Sequence, residues 1–98
     1  MKQVHAYIKG DVIGVGFRAW AKIQAKIIGV NGWVRNAFEY PDKFGPGGGV
    51  EALFQGEDTK VEEMVEKIKD GPPVSRVDDV ELYFQNLKEI FEGFEIRK

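Results

Sequence analysis

Gly10-Asp11-Val12-Ile13-Gly14-Val15-Gly16-Phe17-Arg18 decides the fold, because the hydrophobic period changes across it. Before it, Val4, Ala6 and Ile8 alternate with His5, Tyr7 and Lys9, the two-residue period of a strand that ends at Gly10. After it, Phe17, Ala21, Ala25 and Ile28 fall on one helical stripe, widened by Trp20, Ile23 and Ile27. Lys22 and Lys26 take the wet face, and Gly29 supplies the stop. A strand therefore enters the stretch and a helix leaves it. Its glycines let the backbone adopt positive φ or pass close to a bound group. Successive N–H groups in such a turn form an anion-binding concavity, reinforced by the positive end of the helix dipole. Arg18, at the helix start, adds a planar guanidinium suited to two-pronged contact with phosphate. The stretch reads as a phosphate cradle, with a tight strand-to-helix connection as its plain structural alternative.

Downstream, Gly32 to Phe38 reads as a second strand, with Trp33, Arg35 and Ala37 on one face and Val34, Asn36 and Phe38 on the other. Glu39 to Gly49, rich in Gly, Pro and Asp, reads as a long hairpin loop, its Gly47-Gly48-Gly49 a flexible arm. Val50, Ala52 and Phe54 alternate with Glu51, Leu53 and Gln55 in a third strand. Asp58 or Thr59 is expected to cap a second helix, Thr59 and Glu62 having capping-box spacing. Val61, Met64, Val65 and Ile68 form its buried stripe, and Gly71-Pro72-Pro73 ends it. Val80, Leu82 and Phe84 mark a fourth strand within Val74 to Gln85, and Phe94 and Ile96 a short fifth. Strand, helix, strand, strand, helix, strand is the split βαβ order of ferredoxin-like α+β sandwiches, a mainly antiparallel sheet covered on one face by two helices.

Composition narrows the function. The 98 residues fit one domain, spanning 1–98, with a modest core. With no cysteine there is no disulfide, thiolate nucleophile or cysteine zinc site, and a single histidine, His5, is too few for most metal clusters. His5 sits on the polar side of the first strand and reads as a surface residue. A net charge of −2 gives no broad attraction to nucleic acid or an anionic membrane, so any anion binding must be local. No basic segment and apolar run open the chain, and no stretch is long enough to span a bilayer, so a soluble, cytoplasmic protein is expected.

Gly14-Val15-Gly16-Phe17-Arg18-Ala19 also fits a loose GxGxxA dinucleotide fingerprint, but 98 residues leave no room for the larger parallel sheet that motif serves. No GK[ST] ending is present, which excludes a nucleoside-triphosphatase loop. Gly10-x-Val12-x-Gly14-Val15-Gly16-Phe17-Arg18 instead resembles the first signature of acylphosphatases. Gly32-Trp33-Val34-Arg35-Asn36 resembles the second, and Gly71-Pro72-Pro73-x-x-x-Val77 a third stretch of that family. Val50-Glu51 and Phe94-x-Ile96 match more weakly, so the resemblance runs along essentially the whole chain.

The resemblance implies a ferredoxin-like fold and an enzyme, a hydrolase that splits acyl phosphates into carboxylate and inorganic phosphate without metal, cofactor or covalent intermediate. It implies Arg18 as the phosphate-binding arginine and Asn36 as the water-orienting asparagine. The phosphate-binding loop is then Ile13, Gly14, Val15, Gly16, Phe17 and Arg18. The residues suit that chemistry. The departing carboxylate is a weak base and needs little acid assistance. What remains is to stabilise charge on the phosphoryl oxygens and to hold a water in line. Asn36 shares a face with apolar Val34, and a polar residue there needs a reason: orienting water, or a structural hydrogen bond to the turn. The expected partners are a small acyl phosphate and its phosphate product, with no nucleic acid and no membrane, and a monomer is the expected state. The alternative is a non-catalytic module of the same fold that binds a phosphorylated ligand or RNA. Two departures from the family stand out: Ile13 replaces its common glutamine, and Tyr40 to Gly49 looks like an insertion.

Overall fold

The structure is a computed structural model that describes residues 1–98. Strands β1 (Lys2–Asp11), β2 (Asn31–Ala37), β3 (Gly49–Gly56), β4 (Arg76–Gln85) and β5 (Phe94–Arg97) form one sheet in the order β4-β1-β3-β2-β5. Only the β2–β5 pairing is parallel. Helices α1 (Phe17–Ile28) and α3 (Asp58–Asp70) cover one face, giving the expected α+β sandwich, and a single helical turn, α2 (Pro41–Phe44), lies between β2 and β3.

Strand parity builds the core. The register places Val4 opposite Phe54, Ala6 opposite Ala52 and Ile8 opposite Val50, with Val34 next to Ala52 and Asn36 next to Val50. The apolar side chains among these meet Phe17, Ala21, Ala25 and Ile28 of α1 and Val61, Met64, Val65 and Ile68 of α3, all buried in one cluster, with half-buried Asn36 at its margin. A fully buried aliphatic or aromatic side chain is worth about 1.5–3 kcal/mol, so this cluster holds the helices to the sheet. Asn36 therefore projects from the core-facing side of β2, as its parity predicts.

Several expectations need correction. Helix α3 starts at Asp58 with Glu57 as its N-cap, and neither Asp58 nor Thr59 makes a capping hydrogen bond. The Glu57 carbonyl accepts from Val61 N–H at 3.0 Å, so the helix begins two residues before the Thr59–Glu62 box would start it. Strand β2 ends at Ala37, leaving Phe38 outside the ladder and 63% exposed. The long connection is not plain loop. Phe44 of α2 is buried, and its ring, with Tyr40, packs on Tyr7. Lys43 reinforces the anchor. Its Nζ donates to Glu81 Oε2 at 2.8 Å and Tyr83 Oη at 3.1 Å and lies 4.6 Å from the Tyr7 ring centre. The Glu81 carboxylate and the Tyr83 hydroxyl hold the Lys43 ammonium well above its ordinary range. Gly48 and Gly49 are buried, so they form no free arm.

The sheet's second face is covered rather than solvated. Gln3, Glu51 and Gln55 are all buried there, and Gln55 donates to the Glu89 carbonyl while accepting from Phe91 N–H, tying the 86–93 segment down. His5 is half-buried, stacked on Tyr7 and 2.6 Å from Glu51 through Nε2. It is not the simple surface residue expected. The packing gives a test at the inserted loop. A Cβ on Gly49 would stand 2.4 Å from the Phe44 ring and 2.7 Å from the Ile8 carbonyl oxygen, whereas one on Gly47 meets nothing within 4 Å. Gly49→Ala should cost about 1–3 kcal/mol and Gly47→Ala less than about 0.5, read as a lower urea midpoint at constant m-value for the first only.

Candidate active site

Gly14 and Gly16 have φ of +78° and +79°. A Cβ on either would meet no atom within 4 Å, so glycine is required by conformation rather than by space. The loop alternates accordingly: Ile13 and Val15 turn inward and pack on the core, while Gly14 and Gly16 face a hollow. In place of the family's glutamine, Ile13 gives the loop an apolar anchor.

The loop's main-chain donors are free. Trp20 N–H donates to the Gly16 carbonyl at 3.0 Å, closing the first turn of α1. None of the N–H groups from Ile13 to Ala19 donates to a carbonyl or side chain of the protein. The first turn of α1 carries no acidic residue and its N-cap, Gly16, has no side chain to cap with. Every device that usually neutralises a helix N-terminus is missing here. Arg18 stands at that positive end with no carboxylate within ion-pairing distance, although the three other arginines and several lysines are paired. A cation at the positive end of a helix is unfavourable unless an anion joins it.

Arg18 and Asn36, eighteen positions apart in sequence, line the same hollow of about 190 Å³ together with Val12, Gly14, Gly16, Phe17, Ala19 and Ile96. The Asn36 side chain makes no hydrogen bond within the protein, so the structural bond to the turn considered from sequence does not form. The wall formed by Arg18 and Asn36 continues into a wider groove with Arg35, Phe38, Glu39 and Lys98. Larger hollows occur elsewhere, such as the one between Lys26 and Phe94, but none of those brings free main-chain donors, a guanidinium and an amide together. The third motif supports the site from behind. A Cβ on Gly71 would lie 2.5 Å from Ser75 Oγ and 3.5 Å from the Phe17 ring, so the 71–77 turn packs against the first residue of α1.

Two lining residues escaped the sequence reading. Ala19 follows Arg18 in the first turn, and Ile96 pairs with Val34 in the parallel ladder; only the apolar alternation of Phe94 and Ile96 hinted at the latter. Glu39 and Glu51 were also missed as partners of Arg35. Arg35 Nε donates to Glu51 Oε1 and Nη2 to Glu39 Oε1, both at 2.7 Å. Desolvation opposes the Arg35 charge, but hydrogen bonds to the two carboxylates more than restore it. The Arg35 hydrogen bond in turn holds the Glu39 carboxyl below its usual range. That pair is intact at and above the ordinary carboxylate range and is lost as pH falls through the lowered value.

The family profile described as Acylphosphatase matches residues 4–96. The chain belongs to the acylphosphatase family. An acylphosphatase of Syntrophobacter fumaroxidans is 41% identical over 95 residues, covering 97% of this chain and 90% of the relative. One of Rubrobacter xylanophilus is 41% identical over 96 residues, covering 98% and 80%. Among solved structures, the crystal structure of acylphosphatase from Bacillus subtilis superposes with a TM-score of 0.87 at 31% identity, covering all of both chains. The unpaired Arg18 gives a prediction that separates site from scaffold. Arg18→Ala should leave the unfolding free energy unchanged or raise it by about 0.3–1 kcal/mol while weakening phosphate binding, as read by urea melts with and without phosphate. A destabilised variant with undiminished phosphate binding would contradict the electrostatic account.

Proposed function

We propose that this acylphosphatase-family chain hydrolyses acyl phosphates by direct in-line attack of water on phosphorus. The observation that carries the reading is that one hollow is lined by Gly14, Gly16, Phe17 and Ala19, whose N–H groups are unpaired, together with the unpaired Arg18 guanidinium and the unbonded Asn36 amide. In this reading the amides of Ile13, Gly14, Val15, Gly16, Phe17 and Arg18 and the Arg18 guanidinium hold the phosphoryl oxygens. Donors fixed by the fold need no reorganisation as charge shifts during reaction, which makes this type of stabilisation effective. Asn36 both donates and accepts, so its amide can hold a water by a lone pair and a proton and aim it at phosphorus. The P–O bond to the acyl group breaks with its electron pair remaining on the carboxylate, a weak base that leaves without a general acid. Phosphate and carboxylate are the products.

This assignment asks nothing of a histidine, a cysteine or a bound metal ion. All its groups come from one chain, which fits a monomer acting on a small diffusible substrate in the cytoplasm. A non-catalytic phosphate-binding module of the same fold would share the cradle but would have no use for an unbonded Asn36 in its wall.

Turnover of benzoyl phosphate by the purified chain in excess chelator tests the reading. Wild-type protein should release phosphate. Arg18→Ala should lose about 10²–10³-fold in kcat/KM, through both binding and turnover. Asn36→Ala should lose mainly kcat, with inhibition by inorganic phosphate retained. Phosphate binding without hydrolysis would favour the binding module, and full activity in both variants would overturn the assignment of these two residues.

A further inference from the structure

The only deeply buried charged side chain lies outside the hollow. Glu51, in the middle of β3, is 3% exposed and accepts from two directions. Its Oε1 takes Arg35 Nε at 2.7 Å, and its Oε2 lies 2.6 Å from His5 Nε2. Arg35 then reaches with its other arm to Glu39, at 2.7 Å. The chain His5–Glu51–Arg35–Glu39 runs beneath the sheet from β1 through β3 to β2 and out past the end of β2. Burying a carboxylate and a guanidinium carries a desolvation cost that their attraction often only matches, so stability alone is a weak reason for such a pair.

The pairing of β2 supplies a better one. Strand β5 runs beside β2 only as far as Arg35, which pairs with Arg97. From Asn36 onward β2 has a strand on one side alone, with Asn36 opposite Val50 of β3. The segment that carries the site's unbonded amide is thus the segment where β2 loses half its lateral support. Arg35, immediately before Asn36, and Glu39, three residues after it, are tied to each other across that position and through Glu51 to the centre of the sheet.

We propose that Arg35, Glu39 and Glu51 are positioning residues, an ion-paired clamp that fixes the β2 backbone on both sides of Asn36 and so holds its amide on the attacking water. The inference rests on the functional reading that Asn36 acts on that water. Arg35 suits the task because its planar fork engages two carboxylates at once, which a lysine cannot do in the same geometry. The clamp leaves the cradle alone: the Ile13–Arg18 loop contributes no group to it. Loss of the clamp should therefore fall mainly on kcat; Arg35 and Glu39 also line the outer groove, so removing one charge there shifts KM and phosphate inhibition by a smaller factor.

Glu39→Ala is the cleanest probe, because Glu39 is exposed and its loss leaves the part-buried Arg35–Glu51 pair in place. With acetyl phosphate as substrate, kcat should fall about ten-fold, below the roughly hundred-fold that a 1 Å misplacement can cost. In an Asn36→Ala background the same change should have no further effect, because the group being positioned is gone. Arg35→Lys should reproduce the loss. The second readout needs no turnover: 15N relaxation should show lower order for Asn36 and Ala37 in Glu39→Ala, with Gly14 to Arg18 unaltered. An unchanged kcat, an equal loss in the Asn36→Ala background, or unchanged order at Asn36 would overturn the clamp. A wild-type protein that turns over no acyl phosphate would instead overturn the functional reading, leaving the relaxation experiment to decide the clamp as a structural device.

Discussion

A helix N-terminus with nothing to neutralise it is the constraint on which the rest of this structure depends. Backbone N–H groups at the start of a helix have no partner within it, and proteins usually satisfy them with a Ser, Thr, Asp or Asn cap. Here the N-cap is glycine, the first turn has no acid, and the N–H groups of the loop before it have no partner in the protein. Adding Arg18 deepens the positive potential instead of relieving it. The surrounding fold maintains this unfavourable arrangement: Ile13, Val15 and Phe17 anchor the loop in the core, and the Gly71 turn backs Phe17. In the proposed reading, a phosphoryl oxyanion is the partner these donors and Arg18 are arranged to take.

In the proposed reading, Asn36 extends the same logic to the nucleophile. It is polar on a face otherwise given to Val34 and the core, and nothing in the protein satisfies its amide. A strand places a side chain more precisely than a loop does, provided the strand itself is held. Within the sheet that hold comes from pairing with β3 at Val50; on the face away from the core it comes from the chain of charges through Arg35 and Glu51. The two faces of the sheet thus divide the work, one forming the core and site, the other a polar frame of Gln3, His5, Glu51 and Gln55.

Much of this was legible in the sequence because period and punctuation are local signals. The switch from alternation at Val4–Ile8 to the helical stripe of Phe17–Ile28 located the first βα unit, and strand parity set Asn36 on the core side. The motifs led to Arg18 and the loop. Partnerships made through space were not legible. Thr59 and Glu62 have capping-box spacing, yet Glu57 took the N-cap and the box did not form. Glu39 to Gly49 looked like loop because Gly and Pro dominate its composition. Phe44 found a berth against Tyr7 that only the folded sheet provides, and that berth made Gly49 a packed position, while Gly48 packs against Phe38. His5 and Glu51 alternate outward from the core in their strands, so nothing local showed that the second face would be covered and that they would meet across it.

A crystal structure of the chain grown in phosphate tests the central claim most directly. The account predicts a tetrahedral ion in the hollow beside Gly14, Gly16 and Ala19, accepting hydrogen bonds from the main chain of the loop and from the Arg18 guanidinium, with a water on the Asn36 amide. A hollow without the ion, its amides turned instead to carbonyls of the protein, would contradict it.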